Sequence, residues 1–297
     1  MSGISVLILT KNEELNLPGC LASVGWCDDV HVLDSFSTDR TLSIAQSGGC
    51  RVSQRVFEGY ASQRNRGLRL PFRHPWVLIV DADERIPEPL VAELRSFTRQ
   101  APSGTAAARI RRRDIWWGRW LKRSQISPYF VRLVRLGRAH YEREINEVMV
   151  VDGEIVDLSE TFDHYPFSKG LDHWLAKHNS YSRMEADLIL TGAITQPSIR
   201  TALLHTDFNE RRKHQKALFY KMPARPLIKL LYMLVWRRGL LDGLAGWRYA
   251  MLQAIYEYMI VLKVKEREAI QSAGPVPGAA SLENLDQMQR PGVEESR

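Results

Sequence analysis

Trp76-Val77-Leu78-Ile79-Val80 runs straight into Asp81-Ala82-Asp83-Glu84-Arg85. A short, unbroken apolar run rich in β-branched residues reads as a buried strand of a mostly parallel sheet. Ligands of open α/β sheets bind just beyond the carboxyl ends of such strands, where Asp81 and Asp83 stand one residue apart. If the extended geometry continues, both side chains project to the same side. Two carboxylates so close repel unless a cation lies between them. Oxygen ligands suit Mg²⁺ or Mn²⁺, and such ions usually also hold substrate phosphates. The stretch therefore predicts a metal-dependent site for a phosphorylated substrate. The plainer alternative is a polar turn in which Asp83 caps the next helix.

Support comes from upstream. Residues 4–9 form a first apolar run ending in Thr10-Lys11-Asn12-Glu13-Glu14, and Leu15, Leu17, Cys20, Leu21 and Val24 then recur at helical spacing. Val30-His31-Val32-Leu33 predicts a second strand ending at Asp34, and Thr38 or Asp39 can cap the helix that carries Leu42, Ile44 and Ala45. A weaker third strand falls near Arg51-Val56, and Gln63-Arg64-Asn65 lies on a helix leading to Trp76. This β-α-β-α-β-α-β alternation implies a parallel sheet with helices on both faces. Three strands end in polar clusters, at Thr10 to Glu13, Asp34 to Asp39, and Asp81 to Asp83. In a parallel sheet these would share one edge and make a site. The glycine-free Thr10-Lys11-Asn12-Glu13-Glu14 turn argues against dinucleotide binding, and no Walker A loop is present.

Together, Leu9-Thr10-Lys11-Asn12-Glu13-Glu14, Asp34-Ser35-Phe36-Ser37-Thr38-Asp39-Arg40-Thr41, Gln63-Arg64-Asn65 and Asp81-Ala82-Asp83-Glu84-Arg85 resemble the family 2 glycosyltransferases of the GT-A fold. More narrowly, they resemble the branch related to lipopolysaccharide-core β-glucosyltransferases. The resemblance implies a nucleotide-sugar donor, UDP-linked (such as UDP-glucose), a divalent Mn²⁺ or Mg²⁺, and inversion at the anomeric carbon. It places Thr10 and Glu13 at the nucleotide pocket and Asp34 against the base or ribose. Asp83 becomes the direct metal ligand, with Asp81 nearer the ribose but part of the same metal motif. Arg64 helps the diphosphate or orients an Asp; the alternative is a surface salt bridge. An inverting transfer needs a base, and Glu147 matches the family position, although Asn146 stands where His is usual. Glu144 is the second candidate. His164, in Asp163-His164-Tyr165, is carried over as a further metal or diphosphate contact. A catalytically silent, membrane-associated scaffold is the alternative to an active transferase, and the Asn146 departure leaves it open.

The 297 residues suffice for one large α/β domain and an appendage. The expected division is a catalytic domain over 1–165, with a donor part over about 1–100 and an acceptor part over about 101–165. A helical region over 166–270 and a disordered tail over 271–297 would follow. Cys20, Cys27 and Cys50 show no metal-ligand spacing and do not pair evenly, which fits a reducing compartment. No signal-peptide pattern opens the chain, and no apolar run reaches the roughly 20 residues needed to span a bilayer. The expected location is cytoplasmic, peripheral on the inner face of the cytoplasmic membrane.

The net charge is +7. Much of it falls between Arg109 and Arg143, where Trp116, Trp117, Trp120 and Tyr129 are interleaved. This pattern predicts contact with a glycan or glycolipid acceptor and an anionic membrane surface. No nucleic-acid motif accompanies it, so nucleic acid is not expected as a partner. Further on, Leu171 to Leu188 gives an amphipathic helix, and the apolar run Leu227 to Trp236 meets Arg237-Arg238. Basic and aromatic flanks of that kind mark an interfacial helix. Gly239-Leu240-Leu241-Asp242-Gly243 breaks the helix before a second amphipathic one through Leu252, Ile255, Tyr256 and Met259. A helical hairpin packed on the catalytic domain is the alternative to membrane docking.

Overall fold

The computed structural model describes residues 3–142, 147–192, 196–206 and 208–273. The first part alternates as expected: β1 (Ile4–Thr10), α1 (Leu17–Ser23), β2 (Val30–Asp34), α2 (Thr41–Ser47), β3 (Arg51–Gln54), α3 (Tyr60–Gly67), β4 (Trp76–Asp81). Then come β5 (Glu84–Arg85), α4 (Glu88–Gln100), β6 (Thr105–Trp116), β7 (Arg119–Trp120), β8 (Tyr129–Arg135), β9 (Ala139–Glu142), β10 (Val148–Val151) and β11 (Glu154–His164). The main sheet runs β3-β2-β1-β4-β8-β6-β11-β5, with β7 on β6, while β9 and β10 pair separately. The first four strands are parallel; β8 pairs antiparallel with β4 and β6. The expected helix-flanked α/β sheet is thus observed.

Apolar residues alternate between the two faces, which explains the unbroken runs. Ile4, Val6, Ile8, Trp76, Leu78 and Val80 join one core cluster with Leu17 of α1 and Leu90 and Leu94 of α4. Leu7, Val77 and Ile79 join the opposite cluster with Ala61 of α3. A strand covered on both faces needs no polar face, so period-2 alternation disappears from the sequence. Gly67 lets α3 approach β1: a Cβ there would stand 2.7 Å from Leu7 Cδ2.

Register sets the edge. Thr10 pairs with Asp34, and Leu9 with Asp81, so the three polar strand ends do lie side by side. One expectation fails. The chain turns at Ala82-Asp83 before β5, so extended geometry does not continue and the two Asp carboxylates reach different partners. Asp83 does not cap a helix either, since α4 begins at Glu88 behind Pro87.

The basic run is not one continuous cationic face. Arg109 pairs with Asp157, Arg112 with Asp114, Arg113 with Asp163, and Arg132 with Asp81 and Glu84. A β-strand between acidic and basic neighbours neutralises its own charges. Trp116 is buried and stacks on Phe167, with ring centroids 4.3 Å apart, so it is a core residue rather than a sugar platform.

The chain divides into two compact units, Met1–Trp174 with Met233–Arg248, and Leu175–Tyr232 with Tyr249–Arg297. The helices of the second part are α5 (Gly170–Leu190), α6 (Ile199–Leu204), α7 (Phe208–Tyr220), α8 (Arg225–Leu231) and α9 (Gly243–Ala273). Within the second unit, polar contacts tie the helices: Glu185 accepts from the Tyr220 hydroxyl at 2.6 Å and from Lys216 at 2.7 Å. Among the described residues, no helix is long and apolar enough to cross a membrane. Of the expected tail over 271–297, residues 271–273 continue α9 and the rest lies outside the described residues.

Candidate active site

Two loops at the strand ends are laced together. Thr10 Oγ1 donates to Asp34 Oδ1 at 2.9 Å, and Asp34 Oδ2 accepts from the Ser37 N–H at 2.8 Å. Asn12 and Phe36 both adopt φ of 54°, a strained conformation outside glycine. It is held by exchange between the loops: Asn12 N–H donates to Ser37 Oγ, and Thr38 N–H to Asn12 Oδ1, each at 2.8 Å. Asp39 accepts from the Thr41 N–H at 3.0 Å just before α2, whose N-cap position is Arg40 rather than Thr38 or Asp39. Asp34 is fully buried, and Ser37 Oγ and Gln54 Nε2 also donate to it. Its carboxylate therefore orders the β2 loop. Glu13 is held by Asn16 at 2.7 Å and by Lys169 at 2.6 Å.

The end of β4 is an ionic cluster. Asp81 accepts from Arg64 Nη2 at 3.1 Å and from Arg132 Nη2 at 2.9 Å. Arg132 also grips Glu84, whose other oxygen accepts from the Asp81 N–H at 2.9 Å. Burial works against ionising Asp81, but the two guanidinium groups outweigh it and hold its carboxyl well below the usual range. Burial pushes Glu84 up to about 7, against the pull of Arg132. Arg64 extends the cluster: its Nε lies 3.3 Å from Glu147 Oε1. Glu147 directly precedes β10 and meets the cluster through this ion pair. Glu144 and Asn146 lie outside the described residues.

Asp83 stands apart from these arginines. Its Oδ2 lies 3.3 Å from His164 Nε2, and His164 Nδ1 lies 2.5 Å from Asp114 Oδ1. The antiparallel pairing of β11 with β5, which sets His164 opposite Glu84, brings this histidine to the turn. Burial alone would lower His164, yet the hydrogen bonds to Asp114 and Asp83 raise it to about 9.

The donor set fits a divalent cation bound together with phosphate. Two ligands in adjacent positions of an octahedral ion stand about 3 Å apart, close to the Asp83–His164 separation. Among the described residues no three metal-ligating side chains cluster, so the remaining positions would fall to phosphate and water, as is usual for Mg²⁺. Asp114, bonded to His164 Nδ1, would orient that imidazole if a cation took the place of the proton on Nε2. Arg64 Nη1 is buried without a hydrogen-bond partner, a donor suited to a phosphate oxygen.

Sequence reasoning missed Arg132, Glu84, Asp114 and Lys169 as parts of this cluster. For Arg132 a signal existed: it interrupts Phe130-Val131 and Leu133-Val134, and a charge inside an apolar strand must be paired. Lys169 and Asp114 carried no such mark.

The family model for glycosyl transferase family 2 matches residues 5–153, and the chain belongs to that family. It is 26% identical over 287 residues to the lipopolysaccharide core biosynthesis glycosyltransferase LpsC of Rhizobium meliloti (strain 1021), covering 94% of this chain and 97% of the relative. An uncharacterized glycosyltransferase of Rickettsia bellii (strain RML369-C) is 32% identical over 210 residues, covering 64% of this chain and 68% of the other. Among solved structures, the glucosyl-3-phosphoglycerate synthase from Mycobacterium tuberculosis in complex with Mn²⁺ and UDP-glucose is 27% identical over the matched part. That match covers 37% of this chain and 43% of the synthase, with a TM-score of 0.33.

Proposed function

We propose that this glycosyltransferase is an inverting, metal-dependent hexosyltransferase. It takes a hexose from a nucleotide sugar, UDP-linked such as UDP-glucose, and moves it to a hydroxyl of a cell-envelope glycan. The lipopolysaccharide core is the acceptor class favoured by the motif resemblance and by the name of the Rhizobium relative. The observation that carries the reading is the alignment of three polar strand ends at one sheet edge, where Asp83 meets His164 and Asp81 meets Arg64.

A bound divalent cation would neutralise charge on the departing diphosphate. Asp83 and His164 would hold it, with Asp114 fixing the imidazole. Thr10 and Glu13 line the nucleotide pocket, and Asp34 keeps the loop beside base and ribose in shape. Asp81, on the ribose side, holds Arg64 and Arg132 in place. Arg64 meets the diphosphate through its unpaired Nη1. As phosphate oxygens claim that guanidinium, Glu147 is released from its ion pair. Its carboxylate then takes the proton of the acceptor hydroxyl, which attacks the face opposite the leaving group. Peripheral attachment to the inner face of the cytoplasmic membrane belongs to the same reading, because a lipid-linked acceptor is held there.

Calorimetric titration with UDP, GDP, dTDP and CMP, each with and without Mn²⁺, tests the donor side. Metal-dependent binding of UDP is expected. No binding of any nucleotide would remove the donor assignment and favour a silent scaffold.

A further inference from the structure

An exposed apolar hairpin on the catalytic unit has no role in the chemistry above. After a π-helical turn ending at Trp236, the chain forms a 3₁₀ turn, Gly239–Asp242, and enters α9. Its inner side is locked to the segment after β7. Asp242 Oδ2 accepts from the Arg123 N–H at 2.9 Å, the Ser124 N–H at 2.7 Å and Ser124 Oγ at 2.8 Å. Arg237 donates to the carbonyls of Arg123 and Gln125, at 2.8 and 3.1 Å. A Cβ on Gly246 would stand 2.2 Å from Gly239 O, so the two turns are in direct contact.

The outer side is the reverse. Trp236 is 80% exposed, Leu244 68% and Leu241 65%, and Val235 and Leu240 are exposed as well. Trp117, 65% exposed, joins them from the β6–β7 turn, its ring 5.0 Å from the Arg248 guanidinium. Arg238 and Arg248 on the hairpin, and Arg119 and Lys122 on the facing segment, are exposed as well. The sole acid in residues 116–126 and 233–248 is Asp242, which is buried and already bonded.

We infer that this hairpin, with Trp117, is a wedge that docks the protein on an anionic bilayer. The inference deepens the membrane reading given above. Tryptophan and leucine enter the headgroup and acyl boundary, while arginine and lysine meet lipid phosphates. A second copy is disfavoured as the occupant, because a two-fold contact would set like charges against each other. The wedge is also connected to the site by a short path. The Leu121 N–H donates to the Asp114 carbonyl at 2.9 Å, and the Asp114 side chain orients His164. Docking would therefore hold the site at a fixed height above the lipid surface.

The test is co-sedimentation of the full chain with phosphatidylglycerol-containing vesicles and with pure phosphatidylcholine vesicles, at low and high salt. Expected are binding to the anionic vesicles, weakening with salt, and a blue shift of tryptophan emission. Trp236→Ser combined with Leu244→Ser should lower vesicle affinity about tenfold or more, and Arg238→Gln should reduce the preference for anionic lipid. Circular dichroism and metal-dependent nucleotide binding should stay unchanged in these variants, which separates failure of docking from failure of the transferase reading. Equal vesicle binding by wild type and the double variant would overturn the inference. So would a wild type that ignores vesicles but forms a dimer which the double variant dissolves.

Discussion

Arg132 reaches Asp81 at 2.9 Å across a sequence separation of 51 residues, and the same guanidinium holds the buried Glu84. One residue of β8 thus fixes the acidic end of β4. Arg132→Ala leaves two carboxylates without this counter-charge and should cost about 3–5 kcal/mol, read as a fall in thermal midpoint. Arg132→Lys restores the charge without the planar guanidinium and should recover only part of the loss. An unchanged midpoint in Arg132→Ala would show that the cluster contributes nothing to the fold.

Asp114 acts through His164. Asp114→Asn should weaken Mn²⁺ affinity about 10–100-fold, measured by calorimetry in the presence of UDP. Asp83→Ala should lose metal-dependent turnover with the fold intact, and chelation of the metal should silence the wild type. Full turnover in excess chelator would remove the cation from the proposal.

Glu147 is paired with Arg64 at 3.3 Å. If it is the base, Glu147→Gln should lower kcat about 10²–10⁴-fold while nucleotide binding persists. Wild-type kcat in this variant would pass the role to another carboxylate.

Asp29 provides a pH-dependent prediction away from the site. It is buried, and accepts from Ser5 Oγ at 2.5 Å and the Arg73 N–H at 2.8 Å, with His31 at 3.2 Å. Burial opposes its ionisation, but these groups prevail and lower its pKa below the ordinary 3.8. A depressed carboxylate contributes stability above its unfolded value and loses it as pH falls through the folded one. Burial likewise lowers His31 below 6.5, so stability is also lost as acid charges that ring. Asp29→Asn should cost about 2 kcal/mol near neutrality, and the difference from wild type should shrink below about pH 4. A constant difference across that range would contradict the assignment.

The parallel half was legible because each strand is a continuous apolar run closed by a polar cluster. Ile4 to Thr10, Val30 to Asp34 and Trp76 to Asp81 became β1, β2 and β4 as read. The relation between Asp81 and Asp83 was misread, because a turn of two residues cancels the alternation on which the reading depended. The cationic stretch from Arg109 to Arg143 was read as a surface, yet Arg109, Arg112, Arg113 and Arg132 find carboxylates inside their own unit. Their partners are distant along the chain, and pattern reading sees only neighbours.

By itself the sequence determined which strands are buried, where they end, and that Thr10, Asp34 and Asp81 would share an edge. Those properties follow from local periodicity and from the single way parallel strands align. Only the tertiary structure decided that Asp81 faces two arginines while Asp83 faces His164, that Asp34 is spent inside its loop, and that Trp236 stands in the open. Such outcomes depend on strand register and on contacts between residues far apart in the chain. The free energy of a charged side chain is set by the partner it meets, not by the residues beside it in sequence.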